Sequence, residues 1–267
     1  MIWKRGYALT ILFVFVAPLW PQTTVKLCFQ RTIPFSPPGR KGATVSPELP
    51  QVKRPEFVVS PERIAVLTTK YWSPSIHLGV SFTDSTSSLQ QRVMKIAVEL
   101  ESAGAIRFTS PDAAKAQIKV TFQSNQPAWS YVGTDAMKVK PGDPTLNLAW
   151  LSESTPDAEF RSVVLHEFGH VLGFVDMAPA GVLWNEPAVH ALLAVSPYGM
   201  SSDEANAKLR ELNSSSAPCG NEDKASIMQI PIAKSLTADS REWPWQSTLS
   251  EKDRQCISHL YPKVLKK

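Results

Sequence analysis

Two histidines and a glutamate stand close together in the segment His166-Glu167-Phe168-Gly169-His170. Histidines four residues apart lie on one face of a helix, one turn above each other, where both imidazoles can reach a single Zn²⁺. Glu167 is then placed to act as a base rather than a ligand, accepting a proton from a metal-activated water. The spacing therefore predicts a hydrolytic zinc site.

A catalytic zinc takes three protein ligands and keeps one position open, so the helix supplies one ligand too few. Gly173 can adopt the left-handed backbone conformation that turns the chain sharply after a helix. Asp176 follows three residues later. We expect Asp176 to be the third ligand, and the alternative is that it is an ordinary loop carboxylate.

Two other residues deserve consideration as ligands. Glu186 lies beyond the second histidine, but Pro187 follows it directly, which favours a position at the start of a helix. His190 stands in a largely apolar stretch, where a single histidine is usually structural. We expect neither residue to bind the metal.

The elements that would position these residues can be read from hydrophobic periodicity. Alternation predicts strands at residues 76–82 and 118–122, and helical spacing predicts a helix at residues 89–100 between them. Thr155 is predicted as the N-cap of the histidine-bearing helix, with Pro156 at its first position. Strands and helices that segregate along the chain in this way favour the α+β class.

The extended motif from His166 to Asp176 resembles that of the metzincin zinc endopeptidases. Most metzincins have His at the last position, and a minority, of the snapalysin type, have Asp. Met228, in Ser226-Ile227-Met228, is similar to the methionine of the family's Met-turn, which lies beneath the metal site.

Residues 129–133, Trp-Ser-Tyr-Val-Gly, are similar to the stretch before the edge strand in astacin-like members. The resemblance covers roughly residues 65–263. It implies a metzincin-like protease domain with a twisted mixed sheet, an active-site helix and a mostly irregular or helical C-terminal sub-domain.

The resemblance also implies how substrate and metal are used. Residues 145–150 would be the edge strand that pairs with an extended protein or peptide substrate, and an interior strand is the alternative. Ile230 stands where astacin-like enzymes carry an accessory zinc-bound Tyr. Stabilisation of the oxyanion would therefore fall mainly on one catalytic Zn²⁺.

The N-terminal segments differ in composition from the rest of the chain. Lys4 and Arg5 precede an apolar run, which predicts a signal peptide at residues 1–20 and a secreted protein. The run is shorter than the roughly 20 residues that span a bilayer, so an anchor, the only expected route to a membrane, is the less favoured alternative. Residues 21–64 are rich in proline and form a linker or a pro-segment, of which we prefer the passive linker. Residues 65–263 are the predicted catalytic domain.

The composition excludes several classes of protein. Hydrophobic residues make up 43% of the chain, which suffices for a buried core. Residues 65–262 carry more acidic than basic side chains, so no nucleic-acid partner is expected. No loop has the oxygen-ligand spacing of a calcium site, so the sequence leaves calcium binding undecided. We expect the protein to be a monomer.

Three cysteines are too few for a disulfide scaffold. Cys219 and Cys256 could form one bridge outside the cell. Cys28 would then remain single, and a thiol that caps the zinc in a latent form is one interpretation of it.

The sequence thus predicts a secreted zinc-dependent endopeptidase. The alternative from another class is a catalytically silent, zinc-stabilised extracellular binding or adhesion protein. Such a protein needs no carboxylate at position 167, so the presence of Glu167 favours the enzyme. Hydrolysis of a non-peptide amide is a second alternative.

Overall fold

The computed structural model describes residues 25–32, 70–214 and 223–263. The predicted signal peptide at 1–20, most of the segment 21–64 and Cys219 therefore lie outside the described residues. Within the described part, no helix has both the length and the apolar character needed to cross a membrane.

Six strands form one mixed sheet in the order β1-β5-β6-β4-β2-β3. Strands β3, β2, β4 and β6 run parallel to one another, β5 is antiparallel to β6, and β1 is parallel to β5. The strands are β1 (Cys28–Arg31), β2 (Ile76–Phe82), β3 (Ile106–Thr109), β4 (Ile118–Thr121), β5 (Ala128–Tyr131) and β6 (Leu146–Asn147). Together with the helices, this sheet confirms the predicted α+β class.

The described residues contain five α-helices. They are α1 (Ser87–Ala97), α2 (Asp157–Val171), α3 (Glu186–Ala194), α4 (Ser202–Ser214) and α5 (Glu251–Leu260). Thr86 begins α1 as its N-cap, because its hydroxyl accepts a hydrogen bond of 3.2 Å from the Leu89 N–H. A 3₁₀ segment, Val98–Ser102, continues α1 toward β3.

Helix α2 carries the histidine motif and lies in the centre of the domain. Its residues from Ser162 to Val171 are all buried, so it has no solvent-facing side over its last turns. The helix begins one residue later than we predicted, with Pro156 rather than Thr155 in the N-cap position. The Thr155 hydroxyl instead accepts a hydrogen bond from the Ser152 N–H, 2.9 Å away, within the preceding turn.

The C-terminal end of α2 is held by two distant aromatic side chains. Trp72 Nε1 donates a hydrogen bond to the Val171 carbonyl, and the Tyr261 hydroxyl donates one to the Leu172 carbonyl. The donor–acceptor distance is 2.6 Å in each case. Such carbonyls have no partner within their own helix. Gly173 follows with a φ of +95°, the left-handed conformation that we predicted for this turn.

The structure corrects the prediction of an edge strand at residues 145–150. Strand β6 lies between β5 and β4, so it is an interior strand, which was the alternative. The outer position is taken by β1, from the segment 21–64, which pairs with β5 along Cys28–Arg31. Periodicity within a strand does not reveal its neighbours, which explains the error.

Candidate metal centre

The turn at Gly173 brings Asp176 back to the two histidines of α2. Asp176 Oδ1 lies 3.2 Å from His166 Nε2 and 3.2 Å from His170 Nε2. All three side chains are buried, and they form one of two groups of potential metal-ligand atoms among the described residues. The three residues predicted as ligands are therefore brought together at one point.

The other ring nitrogens fix the tautomer of each histidine. Nδ1 of His166 lies 2.8 Å from the Ile227 carbonyl, and Nδ1 of His170 lies 2.9 Å from the Phe174 carbonyl. A carbonyl only accepts hydrogen bonds, so each Nδ1 must donate, and Nε2 of the neutral ring is left with a lone pair.

The centre of the cluster therefore contains acceptors and lacks a donor. Neither Nε2 atom nor Asp176 Oδ1 has a hydrogen-bond partner among the described residues. Buried acceptors that face each other without a donor are costly unless a cation lies between them. Two imidazoles and a carboxylate oxygen are also ligands that zinc accepts, so the donor set fits this metal.

Electrostatics around the cluster favour positive charge. Burial alone would raise the pKa of Asp176, but Lys208 and His170 hold that pKa well below its usual range. Burial alone would lower the pKa of His170, but the Asp176 carboxylate raises it above its usual value. A proton and a metal ion would thus compete for the same place.

Glu167 lies beside the cluster and is not part of the three-residue group with Asp176. Both its carboxylate oxygens are buried, and burial raises its pKa to about 7, although the two histidines oppose the rise. A carboxylate whose pKa lies near neutrality is suited to accept and return a proton.

The predicted Met-turn packs against α2 from the C-terminal side. Asp253 stabilises this turn through two hydrogen bonds. Its Oδ1 accepts from the Ser226 hydroxyl at 2.6 Å, and its Oδ2 accepts from the Ile227 N–H at 3.0 Å. The Ile227 carbonyl in turn holds His166. Met228 is 3% exposed and contacts Gly169, which precedes His170. The turn therefore lies directly against the ligand-bearing segment.

Cys28 reaches this centre from strand β1. Its sulfur belongs to a second group of potential ligand atoms with His166 and Glu167, all within 4.8 Å of one another. Burial, and secondarily the charge of Glu167, raises the pKa of the Cys28 thiol well above its usual value. The metal-free thiol is therefore protonated at neutral pH.

The alternative ligands lie elsewhere. Glu186 is the first residue of α3, as its following proline predicted, and His190 Nε2 lies 3.0 Å from Asn206 Oδ1. Neither belongs to the two ligand groups of the described residues. Cys256 is disulfide-bonded and Cys28 is a free thiol, whereas Cys219 lies outside the described part.

The sequence analysis missed Lys208, whose Nζ lies 3.0 Å from Asp176 Oδ2. A signal was present, because Lys208 falls on the apolar face of α4 at helical spacing from Ala205 and Leu212. A lysine at such a position is rarely buried without a charged partner.

A small apolar pocket adjoins the centre, with Cys28 and Lys208 in its wall. The rest of its wall comes from β1 and the residue before it, from Trp184, and from α3, α4 and the chain after Met228. It includes Val189, Leu193, Leu209, Leu212, Ile230 and Leu236.

Comparisons with known proteins gave structural neighbours only. No protein-family model and no curated protein matches the chain. Two solved structures of myroilysin, an astacin-family metzincin, are similar at 28% identity. One has a TM-score of 0.65 over 73% of this chain and 87% of its own, and the other has 0.66 over 80% and 90%.

A third structure is "High choriolytic enzyme 1 (HCE-1), a hatching enzyme zinc-protease from Oryzias latipes (Medaka fish)". It is 13% identical over 73% of this chain and 95% of its own, with a TM-score of 0.49. The mixed sheet, the central helix and the likeness to myroilysin show that the chain has a fold similar to that of the astacin-like metzincins, and they support a metalloendopeptidase.

Proposed function

We propose that the chain is a zinc endopeptidase in which His166, His170 and Asp176 hold the metal and Glu167 is the general base. The observation that carries this proposal is the meeting of three buried acceptor atoms without a donor, with Asp176 Oδ1 lying 3.2 Å from Nε2 of His166 and 3.2 Å from Nε2 of His170. A cation between them satisfies all three at once.

When bound, Zn²⁺ supplies Lewis-acid polarisation of the scissile carbonyl and makes water more acidic. Glu167 accepts the proton of the attacking water and returns it to the leaving amine. The Ile227 and Phe174 carbonyls keep the imidazoles in the tautomer that presents Nε2 to the metal. Ile230 has no hydroxyl that could stabilise an oxyanion, so a bound metal would have to supply most of that stabilisation.

The substrate is an extended peptide with a large apolar side chain beside the cleavage site. Once β1 is removed, strand β5 would become the edge of the sheet on which such a peptide can pair. The pocket with Lys208 in its wall is otherwise apolar, and removal of β1, which forms another part of that wall, would open it to a leucine or phenylalanine side chain of the substrate rather than to a charged one.

The described state corresponds to a latent form of this enzyme. Strand β1 occupies the edge of β5 on which a substrate would pair, and its Cys28 sulfur lies within 4.8 Å of the ligand atoms of His166 and Glu167. A thiolate is a strong zinc ligand, so Cys28 would fill the position that hydrolysis requires to be open. The segment 21–64 is then a pro-segment rather than a passive linker.

The first experiment compares casein hydrolysis by the purified chain, after cleavage of the segment 33–69, with that of Glu167→Ala. Glu242→Ala serves as the matched control, since that carboxylate is about half exposed and forms an ion pair with Lys234 on the surface. We expect loss of hydrolysis in Glu167→Ala with zinc content unchanged, full activity in the control, and inhibition by 1,10-phenanthroline. Bound zinc without any hydrolysis in the cleaved wild type would contradict the proposal and favour the binding protein.

A second experiment tests latency with the uncleaved chain. Cys28→Ala is expected to raise casein hydrolysis well above that of the uncleaved wild type, because one metal position becomes open. Equal and low activity of both uncleaved proteins, together with full activity after cleavage, would mean that the strand and not the thiol blocks the site.

We infer from the predicted signal peptide that the protein is secreted. We also propose that it is a monomer, because the composition gives no indication of an oligomer. N-terminal sequencing of the protein from culture medium tests the first, since an uncleaved residue 1 would indicate an anchor. Analytical ultracentrifugation tests the second.

A further inference from the structure

Lys208 is a buried cation whose position is explained by one ligand of the metal centre. Its side chain is 10% exposed, and its Nζ lies 3.0 Å from Asp176 Oδ2, whose side chain is 1% exposed. Glu211 lies 3.5 Å away and is 43% exposed, so it is the weaker, solvent-screened neighbour. The ammonium therefore serves Asp176 first.

The two oxygens of Asp176 have different surroundings. Oδ1 faces the Nε2 atoms of both histidines, whereas Oδ2 is bound by Lys208. The backbone of the same residue is also held, because the Asp176 N–H donates to Gln30 Oε1 over 2.8 Å. Lys208 thus determines which oxygen points at the metal position and keeps the other away from it.

Charge gives a second reason for a lysine at this place. An aspartate in the third ligand position adds one negative charge that a histidine would not add. A buried carboxylate without a cation is costly, and Lys208 supplies the compensating charge from the side opposite the metal. The pair Asp176–Lys208 therefore has the net charge of a single neutral imidazole.

We propose that Lys208 is a positioning residue for the third metal ligand, a proposal that rests on the proposed function. It fixes Asp176 as a one-oxygen ligand and neutralises it, so that aspartate works where most metzincins have histidine. The inference predicts that Lys208 is useful only when residue 176 is an aspartate.

A double-mutant cycle of Lys208→Met and Asp176→His tests this directly. Zinc affinity is measured on the full chain by competition with a chromophoric chelator. We expect Lys208→Met to weaken zinc binding by about 10- to 100-fold, the usual effect of removing a partner of a ligand. We expect the same substitution to strengthen binding at least tenfold in the Asp176→His background, because an ammonium beside a neutral imidazole opposes the metal.

Two controls separate positioning from stability. Arg210→Met removes the same charge from the exposed side of α4 and should leave zinc affinity unchanged. The visible spectrum of the cobalt-loaded protein reports the ligand arrangement, and it should change in Lys208→Met and remain unchanged in Arg210→Met. If Lys208→Met does not fold, Lys208→Arg replaces it, and its cobalt spectrum should match that of the wild type because the cation is kept.

The outcomes distinguish this inference from the proposed function. Equal effects of Lys208→Met in both backgrounds, within threefold, with an unchanged cobalt spectrum, would overturn the role of Lys208 alone. A wild type that binds no zinc would overturn the proposed function and this inference with it.

Discussion

The Met228 sulfur lies against Gly169, so that a Cβ at position 169 would overlap it. Gly169 immediately precedes His170 on α2, and Met228 is almost completely buried beneath it. The close approach of the predicted Met-turn to helix α2 therefore depends on a glycine inside that helix. Glycine usually costs a helix about 1 kcal/mol relative to alanine, so its presence here reflects packing.

Gly169→Ala is expected to lower the free energy of unfolding by about 1–3 kcal/mol, because Met228 must move within a packed core. Urea denaturation followed by circular dichroism measures it. In a Met228→Ala background the same substitution should be neutral or stabilising by up to about 1 kcal/mol. An equal loss in both backgrounds would show that the glycine is needed for another reason.

The carboxyl group of Asp253 makes stability depend on pH. Burial raises its pKa above the usual value, although hydrogen bonds from Ser226, Ile227 and Ser250 oppose the rise. A raised folded-state pKa means that its contribution is fully present below the unfolded pKa and is lost as pH rises through the folded value. We therefore expect the difference in unfolding free energy between the wild type and Asp253→Asn to fall as the pH rises from the ordinary aspartate pKa, about 4, through the raised folded-state pKa. A difference that grows over this range would show the opposite sign of the pKa shift.

Removal of the Tyr261 hydroxyl should weaken the end of α2. Tyr261→Phe leaves the buried Leu172 carbonyl without this donor, and we expect a loss of about 1–3 kcal/mol in unfolding free energy. Zinc stoichiometry should stay the same, since the ligands are untouched. A loss below about 0.5 kcal/mol would indicate that another donor replaces the hydroxyl.

Removal of the metal should lower the midpoint of thermal unfolding, because zinc binds only the folded site. The protein is dialysed against a chelator, and zinc is then returned during differential scanning fluorimetry. We expect the midpoint to recover in the wild type and in the control variant His190→Ala. The His190 side chain forms a hydrogen bond with Asn206, away from the metal centre. His170→Ala should show no recovery, and recovery in that variant would argue against His170 as a ligand.

The motif in α2 was predictable because its geometry is local. Two histidines four residues apart share a helix face whatever surrounds the helix, and Gly173 allows the turn that returns Asp176 to them. The α+β class followed in the same way from periodicities that each extend over one element. What the sequence by itself determined is therefore the motif, the helix that carries it and the class of fold.

The tertiary structure alone decided the contacts that join distant segments. Lys208 contacts Asp176, although the two residues are 32 positions apart in the sequence, and Cys28 lies near His166 because β1 pairs with β5. The interior position of β6 likewise depends on which strands become its neighbours. Periodicity shows that a face is buried, but the free energy of packing the whole chain selects the surface against which it is buried.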